Sequence, residues 1–424
     1  MSLISVLEAL GGRPIETRPP ASARRMRALL ERHDNPDASF SNVVVAGTVG
    51  KGSTAAVLAA LLQAHGHRVG LFTGPHLERY NERIRVNGRD IGERPFACVL
   101  RQALTTATEF ARRDDPAWRP SVLEVLALAA CLHFHANGIE WAVMEAGVGG
   151  ARDYTMALNA RATVLTQVGL DHMHLLGQTI EEIAREKMAI ARPEIPLICA
   201  ARAPEARKML THPTCLIGRD FEVQSVEVSL EGTSFDLGDL RELHVPLIGA
   251  HQADNAAAAI TCLRDLADRR LLEIDKRRIR LGLKRARMPG RLERFPGPPE
   301  IILDGAHQPE GARALRKTLQ ETCGDRYVAL VLGVLADKDR AGVIEALAPA
   351  ASALILTQPP WASRTGSLEE FAAGKDNACV IEDPLEVLEH AKTLAIKKNG
   401  LVCVAGSLYL AGVVRAQLCG ARHK

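Results

Sequence analysis

The segment at residues 43–54 constrains this chain more than any other stretch of its sequence. β-Branched apolar residues are followed there by glycines, a lysine and hydroxyl side chains, and an alanine- and leucine-rich run comes next. This order predicts a strand, a tight glycine loop and the first turn of a helix. The N–H groups of such a loop, the helix dipole and the lysine together favour a bound polyphosphate. The loop residues are Gly47, Thr48, Val49, Gly50, Lys51, Gly52, Ser53 and Thr54.

The loop is a shortened variant of the common phosphate-binding loop, whose usual spacing places a glycine where Val45 stands. Ser53 or Thr54 offers the hydroxyl that nucleotide-bound Mg²⁺ usually takes. An ordinary strand-to-helix turn that happens to contain these residue types is the competing interpretation. We interpret the segment as a nucleotide-binding site.

Length, charge and aromatic content limit the classes of protein to which the chain can belong. With 424 residues it is too long for one hydrophobic core, so two or three domains are expected. A net charge of +3 and 4% aromatic residues provide neither the basic stripe nor the stacking platforms that nucleic-acid binding needs. One basic cluster fits a solvated helix face before a linker, and its members are Arg277, Arg278, Arg280, Lys284, Arg285 and Arg287. We therefore expect no nucleic-acid partner.

Neither a membrane partner nor an oxidising compartment is expected. No apolar run is long enough to cross a bilayer, and prolines and arginines interrupt residues 1–24, where a signal peptide needs an apolar core. The nine cysteines are scattered without a C-x-x-C pair, which suits reduced thiols better than disulfides or a zinc site. A cytoplasmic location and a monomer are the expectations.

Short β-branched runs alternate with longer alanine- and leucine-rich runs, which predicts an α/β fold with a mostly parallel, doubly wound sheet. Such sheets bind ligands beyond the carboxyl ends of their strands. In the first part of the chain, strands are predicted at 42–46, 68–72, 141–145, 162–168 and 196–200. Helices are predicted at 53–65, 123–136 and 179–191, and a small antiparallel insert near 221–245.

A composition break at residues 288–290 predicts two units, 1–288 and 289–424. The αβ alternation restarts beyond the break and predicts a second, smaller α/β domain. A cleft between two such domains is a usual place for a two-substrate site. In the second unit, strands are predicted at 300–303, 327–332, 353–357 and 401–404, and helices at 309–322, 340–347 and 385–397.

Carboxylates and imidazoles follow several predicted strands. Glu145 ends one strand beside glycines, Asp171 and His172 follow another, and Asp304 and His307 follow the first strand of the second unit. A carboxylate in that position can hold Mg²⁺ against a nucleotide. Each residue alone could be an exposed loop acid, a helix cap or a turn former. Together they indicate a site for metal and phosphate.

Ten short sequence blocks, each different, are spread along nearly the whole chain. They lie at 47–54, 74–77, 81–84, 145–150, 169–172, 182–187, 251–256, 289–293, 304–307 and 406–409. In this order and spacing they resemble the folylpolyglutamate synthase/dihydrofolate synthase branch of the Mur-type amide ligases. The resemblance implies a Mur-ligase-like P-loop domain followed by a Rossmann-like α/β domain.

The resemblance also implies an ATP-dependent ligase of one-carbon metabolism. Such an enzyme joins a folate- or dihydropteroate-like carboxylate to an amino acid, typically L-glutamate, through an acyl phosphate. Domain closure then brings the two halves together and excludes water, which would hydrolyse that intermediate.

Site roles follow by the same resemblance. The loop at 47–54 holds the phosphates of ATP, with Lys51 on the transferring group. Lys187 matches a lysine that the family carries as a carbamate, which can bind a second metal ion. The implied Mg²⁺ ligands are Ser53, Glu145, His172 and Lys187; the catalytic residues are Lys51, Lys187 and His307; the nucleotide-clasping residues are Asn255, Arg291 and Asp304. The implied substrate-binding residues are Pro75, His76, Arg83, Asp153, Tyr154, His307 and Ser407.

Several positions depart from the family pattern. Val49 replaces a common asparagine, Gly74 a common serine, and Gln308 another asparagine, while Tyr154 and Met156 interrupt an Asp-Ala-Thr-Asn motif. A buried polar atom of a substrate that lacks its hydrogen-bond partner costs about 1–3 kcal/mol of binding free energy. These replacements can therefore change which acceptor acid binds. A divergent folate enzyme and a paralogue acting on a non-folate acid both remain open. Two further hypotheses are a nucleotide-binding protein without ligase activity and a small-molecule kinase.

Overall fold

The computed structural model describes residues 3–11, 21–112, 118–359, 367–372 and 377–420. Within these residues, eight strands form one large sheet. They are β1 (Ser41–Ala46), β2 (Val69–Phe72), β3 (Ile84–Val86), β4 (Arg89–Asp90), β5 (Trp141–Glu145), β6 (Ala160–Leu165), β7 (Leu197–Cys199) and β8 (Thr214–Leu216). The order is β4-β3-β2-β5-β1-β6-β7-β8, parallel from β2 to β8 and antiparallel at the β3–β4 edge.

The central strands are aligned in register at their carboxyl ends. Val45 of β1 lies opposite Glu145 of β5, and Ala46 lies opposite Leu165 of β6. Because these strands are parallel, the loops that follow them emerge side by side at one edge of the sheet.

Helices cover both faces of this sheet. They are α1 (Leu3–Gly11), α2 (Ala21–Glu31), α3 (Lys51–Ala64), α4 (Glu93–Ala111), α5 (Val122–Ala136), α6 (Met173–Leu176), α7 (Ile180–Met188), α8 (Pro204–Arg207), α9 (His251–Asp268) and α10 (Lys276–Arg285). The middle of α3 is buried because alanines and leucines let sheet and helices pack closely around it. At Gly282 of α10 a Cβ would lie 2.8 Å from Leu61 Cα, so glycine permits the close approach of α10 to α3.

A three-stranded antiparallel meander precedes α9 within the residues for which an insert is predicted. Its strands are β9 (Val223–Ser229), β10 (Gly232–Leu237) and β11 (Leu240–Val245). Phe235, Leu237 and Leu243 join the same core as α3 and α9. Val228 and Leu230 pack instead against the core of the following sheet.

A second sheet contains six strands among the described residues. They are β12 (Glu293–Phe295), β13 (Glu300–Leu303), β14 (Val328–Leu332), β15 (Ala353–Leu356), β16 (Ala378–Val380) and β17 (Leu401–Ala405). The helices of this second unit are α11 (Pro309–Cys323), α12 (Arg340–Leu347), α13 (Glu369–Ala372), α14 (Pro384–Lys397) and α15 (Leu408–Gly420). The order is β12-β13-β17-β14-β15-β16, with only β12 antiparallel. The loops after β13 and β17 therefore adjoin.

The predicted α/β fold class, with a mostly parallel sheet and a second α/β unit, is confirmed. Element bounds differ in detail: helix α3 begins at Lys51 rather than at 53, and strand β6 covers Ala160–Leu165 rather than 162–168. Just past β6, the Thr166 N–H still donates to the Ala46 carbonyl oxygen of β1, while its hydroxyl donates to the carbonyl oxygen of Val49 and ties this segment to the glycine loop.

Each cysteine lies in the described part of the chain and is a free thiol. Burial raises the pKa of the Cys131 and Cys262 thiols well above the usual value. No helix within the described ranges has both the length and the apolar character needed to cross a membrane.

A buried ion pair joins α2 to the start of α5. Arg25 Nη2 lies 2.9 Å from Glu124 Oε1, and the two side chains are 6% and 1% exposed. Glu124 also accepts hydrogen bonds from the Ser22 hydroxyl and from the Ser121 backbone N–H. The carboxylate therefore serves both as a helix cap and as the anchor of α2.

Replacing Arg25 with methionine should lower the free energy of unfolding by about 3 kcal/mol, because it leaves the Glu124 carboxylate buried without its cation. The matched control is Arg32→Met, which removes the exposed partner of Glu109 and should cost less than about 1 kcal/mol. Urea titrations of both variants measure the difference. Equal losses would show that burial does not distinguish the two pairs.

Candidate functional site

Close backbone approaches shape the glycine loop between β1 and α3. Gly47 has a φ of 147°, and a Cβ there would lie 1.9 Å from Thr166 Oγ1. Gly50 has a φ of 89°, and a Cβ there would lie 2.4 Å from Asn255 Oδ1. Only glycine fits both positions. Thr48 fixes the other side of the loop, since its N–H donates to the Gln167 carbonyl oxygen at 2.8 Å.

The first turn of α3 carries the remaining loop residues. Gly52 lies beneath Met288, whose Cε would be 2.6 Å from an added Cβ. Ser53 and Thr54 are buried, and Thr54 Oγ1 has no hydrogen-bond partner among the described residues. The first N–H groups of a helix have no intrahelical acceptor, so this turn is suited to an anion.

Two lysines converge on one carbonyl oxygen of the loop. Lys51 Nζ donates to Gly47 O at 3.2 Å and to Thr48 O at 3.1 Å. Lys187 Nζ, from α7, donates to the same Gly47 O at 3.0 Å. The structure therefore places both predicted catalytic lysines at the phosphate loop, 136 positions apart in sequence.

Lys187 is buried, with 2% of its surface exposed. Burial lowers the pKa of Lys187 to about 8, and the positive charge of Lys51 adds to the shift. A neutral amine is therefore more accessible here than at a surface lysine, whose pKa stays near 10.4.

Glu145 ends β5 next to the loop and is also buried. Its Oε2 accepts the N–H of Gly74 at 3.0 Å and would lie 3.5 Å from a Cβ at Gly52. Burial raises the pKa of Glu145. The groups that oppose this rise are Lys51, the Gly74 N–H, Arg291 and Arg83. The carboxylate thus lies among cations from three separate segments.

Asp153 and Tyr154 stabilise the end of β5 and the loop that follows it. The Asp153 carboxylate accepts the N–H groups of Gly147, Val148 and Thr155 and the Thr155 hydroxyl, and burial raises the pKa of Asp153 to about 6. The Tyr154 hydroxyl donates to Glu145 O at 2.7 Å, and its side chain is 1% exposed. Their groups are used within the protein, so direct contact with substrate stays a prediction.

The donor set suits one Mg²⁺ shared with a nucleotide. Ser53 and Glu145 offer oxygen ligands, and Mg²⁺ usually takes one or two protein oxygens plus phosphates and water. His172 follows in a left-handed conformation with φ 48°, and burial lowers its pKa, which favours the neutral ligand form. In the described ranges, no three His, Cys, Asp or Glu side chains gather at metal-binding distance. Both metal positions, and the ligand roles of Ser53, Glu145, His172 and Lys187, therefore stay predictions.

The loop at 74–83 carries the other predicted substrate-binding residues. Pro75 is exposed, and Arg83 Nε donates to His76 Nδ1 at 3.0 Å. Burial lowers the pKa of His76 to about 4, and Arg83 adds to the shift. Arg83 is half-buried, and its guanidinium carbon lies 5.7 Å from the centroid of the Tyr80 ring. Among the described side chains, Arg83 forms no ion pair with a carboxylate. This guanidinium remains available to an anionic group.

Residues of the second unit face the same edge. A Cβ at Gly305 would lie 2.8 Å from Arg291 Nη1. Asp304 accepts the backbone N–H groups of Leu292 and Ala306, so it shapes the loop that carries Arg291. His307 Nδ1 lies 2.8 Å from Gly305 O, which leaves its other ring nitrogen without a hydrogen-bond partner among the described residues. Ser407 is buried after β17, and its Oγ accepts the Tyr409 N–H.

A direct hydrogen bond joins the two halves of the site. Gln308 Nε2, beside His307, donates to Asp171 Oδ1 at 3.2 Å, beside His172. Glutamine is longer than the asparagine common at this position, which lets it reach across.

Two family models match the chain: "Mur ligase middle domain" over residues 99–263 and "Mur ligase, glutamate ligase domain" over residues 290–408. The chain is 32% identical over 409 residues to the dihydrofolate synthase/folylpolyglutamate synthase of Bacillus subtilis, covering 93% of this chain and 94% of that one. The chain belongs to the folylpolyglutamate synthase/dihydrofolate synthase family. The predicted family and the predicted class, an ATP-dependent acid–amino-acid ligase, are confirmed.

Solved structures of this family agree with the fold. The Mycobacterium tuberculosis folylpolyglutamate synthase complexed with ADP and AMPPCP is 27% identical, with a TM-score of 0.87 and coverage of 98% of this chain and 99% of that one. An FPGS–AMPPCP–folate complex is 28% identical, with a TM-score of 0.81 and coverage of 99% and 100%.

Sequence reasoning missed two residues of the site. Thr166 fills the space that Gly47 leaves open, and only the register of β1 with β6 brings it there. Lys338, after β14, contributes to the lowered pKa of both His172 and His307, after burial as the main cause. Lys338 follows the strand predicted at 327–332, and this position is the sequence signal that could have identified it.

Replacing Asp153 with asparagine should lower the free energy of unfolding by about 2 kcal/mol and reduce kcat, because an amide cannot accept all four donors that the carboxylate serves. The matched control is Asp383→Asn, whose carboxylate caps α14, a task that asparagine performs equally well. Thermal unfolding and steady-state kinetics measure both effects. A raised KM for the acceptor with unchanged stability would instead make Asp153 a substrate contact.

Proposed function

We propose that this chain uses ATP to join L-glutamate to a folate-type carboxylate. The observation that carries the proposal is the convergence of Lys51 and Lys187 on the phosphate loop, beside the buried Glu145. Arg291 of the second unit adds its charge to the same carboxylate. The family relatives named above support folate and glutamate as the substrates.

We further propose that residues 1–288 bind ATP and the acceptor, and that residues 289–424 bind the amino acid. The match of the glutamate ligase domain to residues 290–408 supports this division. A cytoplasmic monomer is part of the proposal, and the free thiols, five of them buried, support a reducing compartment.

The reaction has two steps. An oxygen of the acceptor carboxylate attacks the γ-phosphorus of ATP, the bond to the β-phosphate oxygen breaks, and ADP leaves. The glutamate amine then attacks the acyl carbon, an amide bond forms, and inorganic phosphate and a proton leave. A carboxylate needs this activation because it does not react with amines by itself.

The residues divide these tasks. The loop N–H groups and Lys51 bind the phosphates and stabilise charge on the transferring group. Arg83, which has no acidic partner among the described residues, is placed to hold the acceptor carboxylate. Ser53, Glu145 and His172 would hold a Mg²⁺ ion, which would neutralise phosphate charge when bound.

Nucleotide clasping is assigned to Asn255, Arg291 and Asp304. Asn255 lies against Gly50 of the loop. Arg291 of the second unit acts electrostatically on Glu145, and Asp304 shapes the loop that carries Arg291. His307 and Ser407 follow adjoining strands of the second sheet and are assigned to the amino acid. Closure of the two units excludes water from the acyl phosphate.

Lys187 is proposed to carry a carbamate. Its lowered pKa, about 8, leaves more neutral amine to react with CO₂ than an ordinary lysine has. The product is an anion beside Lys51 and offers oxygen ligands to a second metal ion.

Incubation with ATP, Mg²⁺, glutamate and dihydropteroate or tetrahydrofolate should release ADP and form a new amide. Lys51→Ala is the negative control and should lower kcat at least about 100-fold, because it removes charge stabilisation of the phosphoryl group. Coupled ADP assays and mass spectrometry of the product measure both.

The acceptor panel also includes non-folate carboxylic acids and other amino acids. They are included because Met156 stands where the family usually has asparagine, so that polar side chain is absent from this position. The Met156 sulfur instead lies 3.1 Å from Arg192 Nη1. ADP release with a non-folate acid alone would identify the paralogue. Nucleotide binding without ADP release from any pair would overturn the ligase proposal.

Lys187→Ala should strongly reduce turnover, with partial recovery when acetate supplies a carboxylate in place of the carbamate. Lys208→Ala, on a lysine at the end of α8, is the control and should retain normal activity with no response to acetate. Full activity of Lys187→Ala without additives would exclude a functional carbamate. Incorporation of ¹³CO₂, followed by NMR, gives a readout independent of turnover.

A further inference from the structure

The loop at 74–83 contacts both units of the protein. At one end, the Gly74 N–H donates to Glu145 Oε2 in the first unit. In its middle, Leu77 packs between two glycines of the second unit. A Cβ at Gly412 would lie 2.2 Å from Leu77 O, and a Cβ at Gly290 would lie 2.9 Å from Leu77 Cδ2. Helix α15 therefore lies directly on the loop backbone.

An ion pair fixes the same contact. Arg415, one turn after Gly412 on α15, places Nη1 2.8 Å from Glu78 Oε1. Its Nε lies 3.0 Å from Glu293 Oε2, next to the Arg291 loop. The Arg415 and Glu78 side chains are each 24% exposed, so both are partly shielded from solvent.

The loop itself is stiff. The Glu82 carboxylate accepts the backbone N–H groups of Leu77, Glu78 and Arg79 at 2.7–2.8 Å. We therefore expect a displacement of Glu78 to move Leu77 and Arg79 with it, and through them the ends of the loop at Gly74 and Arg83.

We infer that Arg415 and Glu78 are positioning residues for the acceptor site: α15 of the second unit holds the 74–83 loop in place against Glu145. Neither residue touches the reacting groups. The acceptor site is complete only while the second unit is docked, and docking couples the amino-acid half to the acceptor half. This inference rests on the proposed function, since it takes Arg83 as the acceptor contact.

Glu78→Ala tests the inference, and Glu231→Ala is its matched control. Glu231 forms another ion pair between the units, with Arg294 Nη1 at 3.0 Å, but it lies on the meander and not on the loop. Glu78→Ala should lower kcat/KM for the acceptor on the order of tenfold, mainly through KM, with the KM for ATP unchanged. Glu231→Ala should stay within about twofold of the unchanged protein.

Arg415→Met should lower kcat/KM for the acceptor at least as much as Glu78→Ala, because it also removes the partner of Glu293. The double variant should be less than additive, because Glu78 has no pair left to lose once Arg415 is gone. Equal losses in Glu78→Ala and Glu231→Ala would overturn the inference, since they would indicate general tethering of the units. An unchanged KM for the acceptor in Glu78→Ala would overturn it as well.

Hydrogen–deuterium exchange separates this inference from the proposed function, because it requires no turnover. Glu78→Ala should speed exchange of the amides at 74–83 and leave exchange at 223–245 unchanged. Glu231→Ala should speed exchange at 223–245 and leave exchange at 74–83 unchanged. Unaltered exchange at 74–83 would overturn the positioning role even if the chain proves to be a folate ligase. Absent folate turnover with the predicted exchange pattern would overturn only the substrate assignment.

Discussion

Parallel pairing of β1 with β5 and β6 is the constraint on which the rest of the site depends. The register places Val45 beside Glu145 and Ala46 beside Leu165. The glycine loop after β1, the loop after Glu145 of β5 and the segment that begins with Thr166 after β6 therefore emerge together. Each loop then fits the next through an atom-scale contact, as where Gly47 meets Thr166. A shift of one residue along any of these strands would separate the groups that the chemistry brings together.

Charge balance explains why the site is built from both units. Glu145 is buried, and isolated buried carboxylates are costly. Cations from the glycine loop, the 74–83 loop and the second unit surround it. Three cations, Lys51, Arg291 and Arg83, act on this one carboxylate, and a triphosphate and an acceptor carboxylate would add negative charge beside them. The site is therefore electrostatically complementary to its proposed substrates.

Sequence alone predicted the alternation of strands and helices, the glycine loop, and the strand-end acids Glu145 and Asp304. These are local patterns, in which residue type and spacing determine the structure. It did not predict that Asp153 and Tyr154 turn inward to support β5. The pairing of Arg415 with Glu78 was also not predictable, because 337 positions separate the two and no periodicity connects them.

Lys51 closes on its own loop through the carbonyl oxygens of Gly47 and Thr48. The two carbonyl oxygens hold the Lys51 ammonium in one direction beside the first turn of α3. Little side-chain freedom is then left for Lys51 to lose when a phosphate oxygen joins these acceptors, which lowers the entropic cost of binding a polyphosphate.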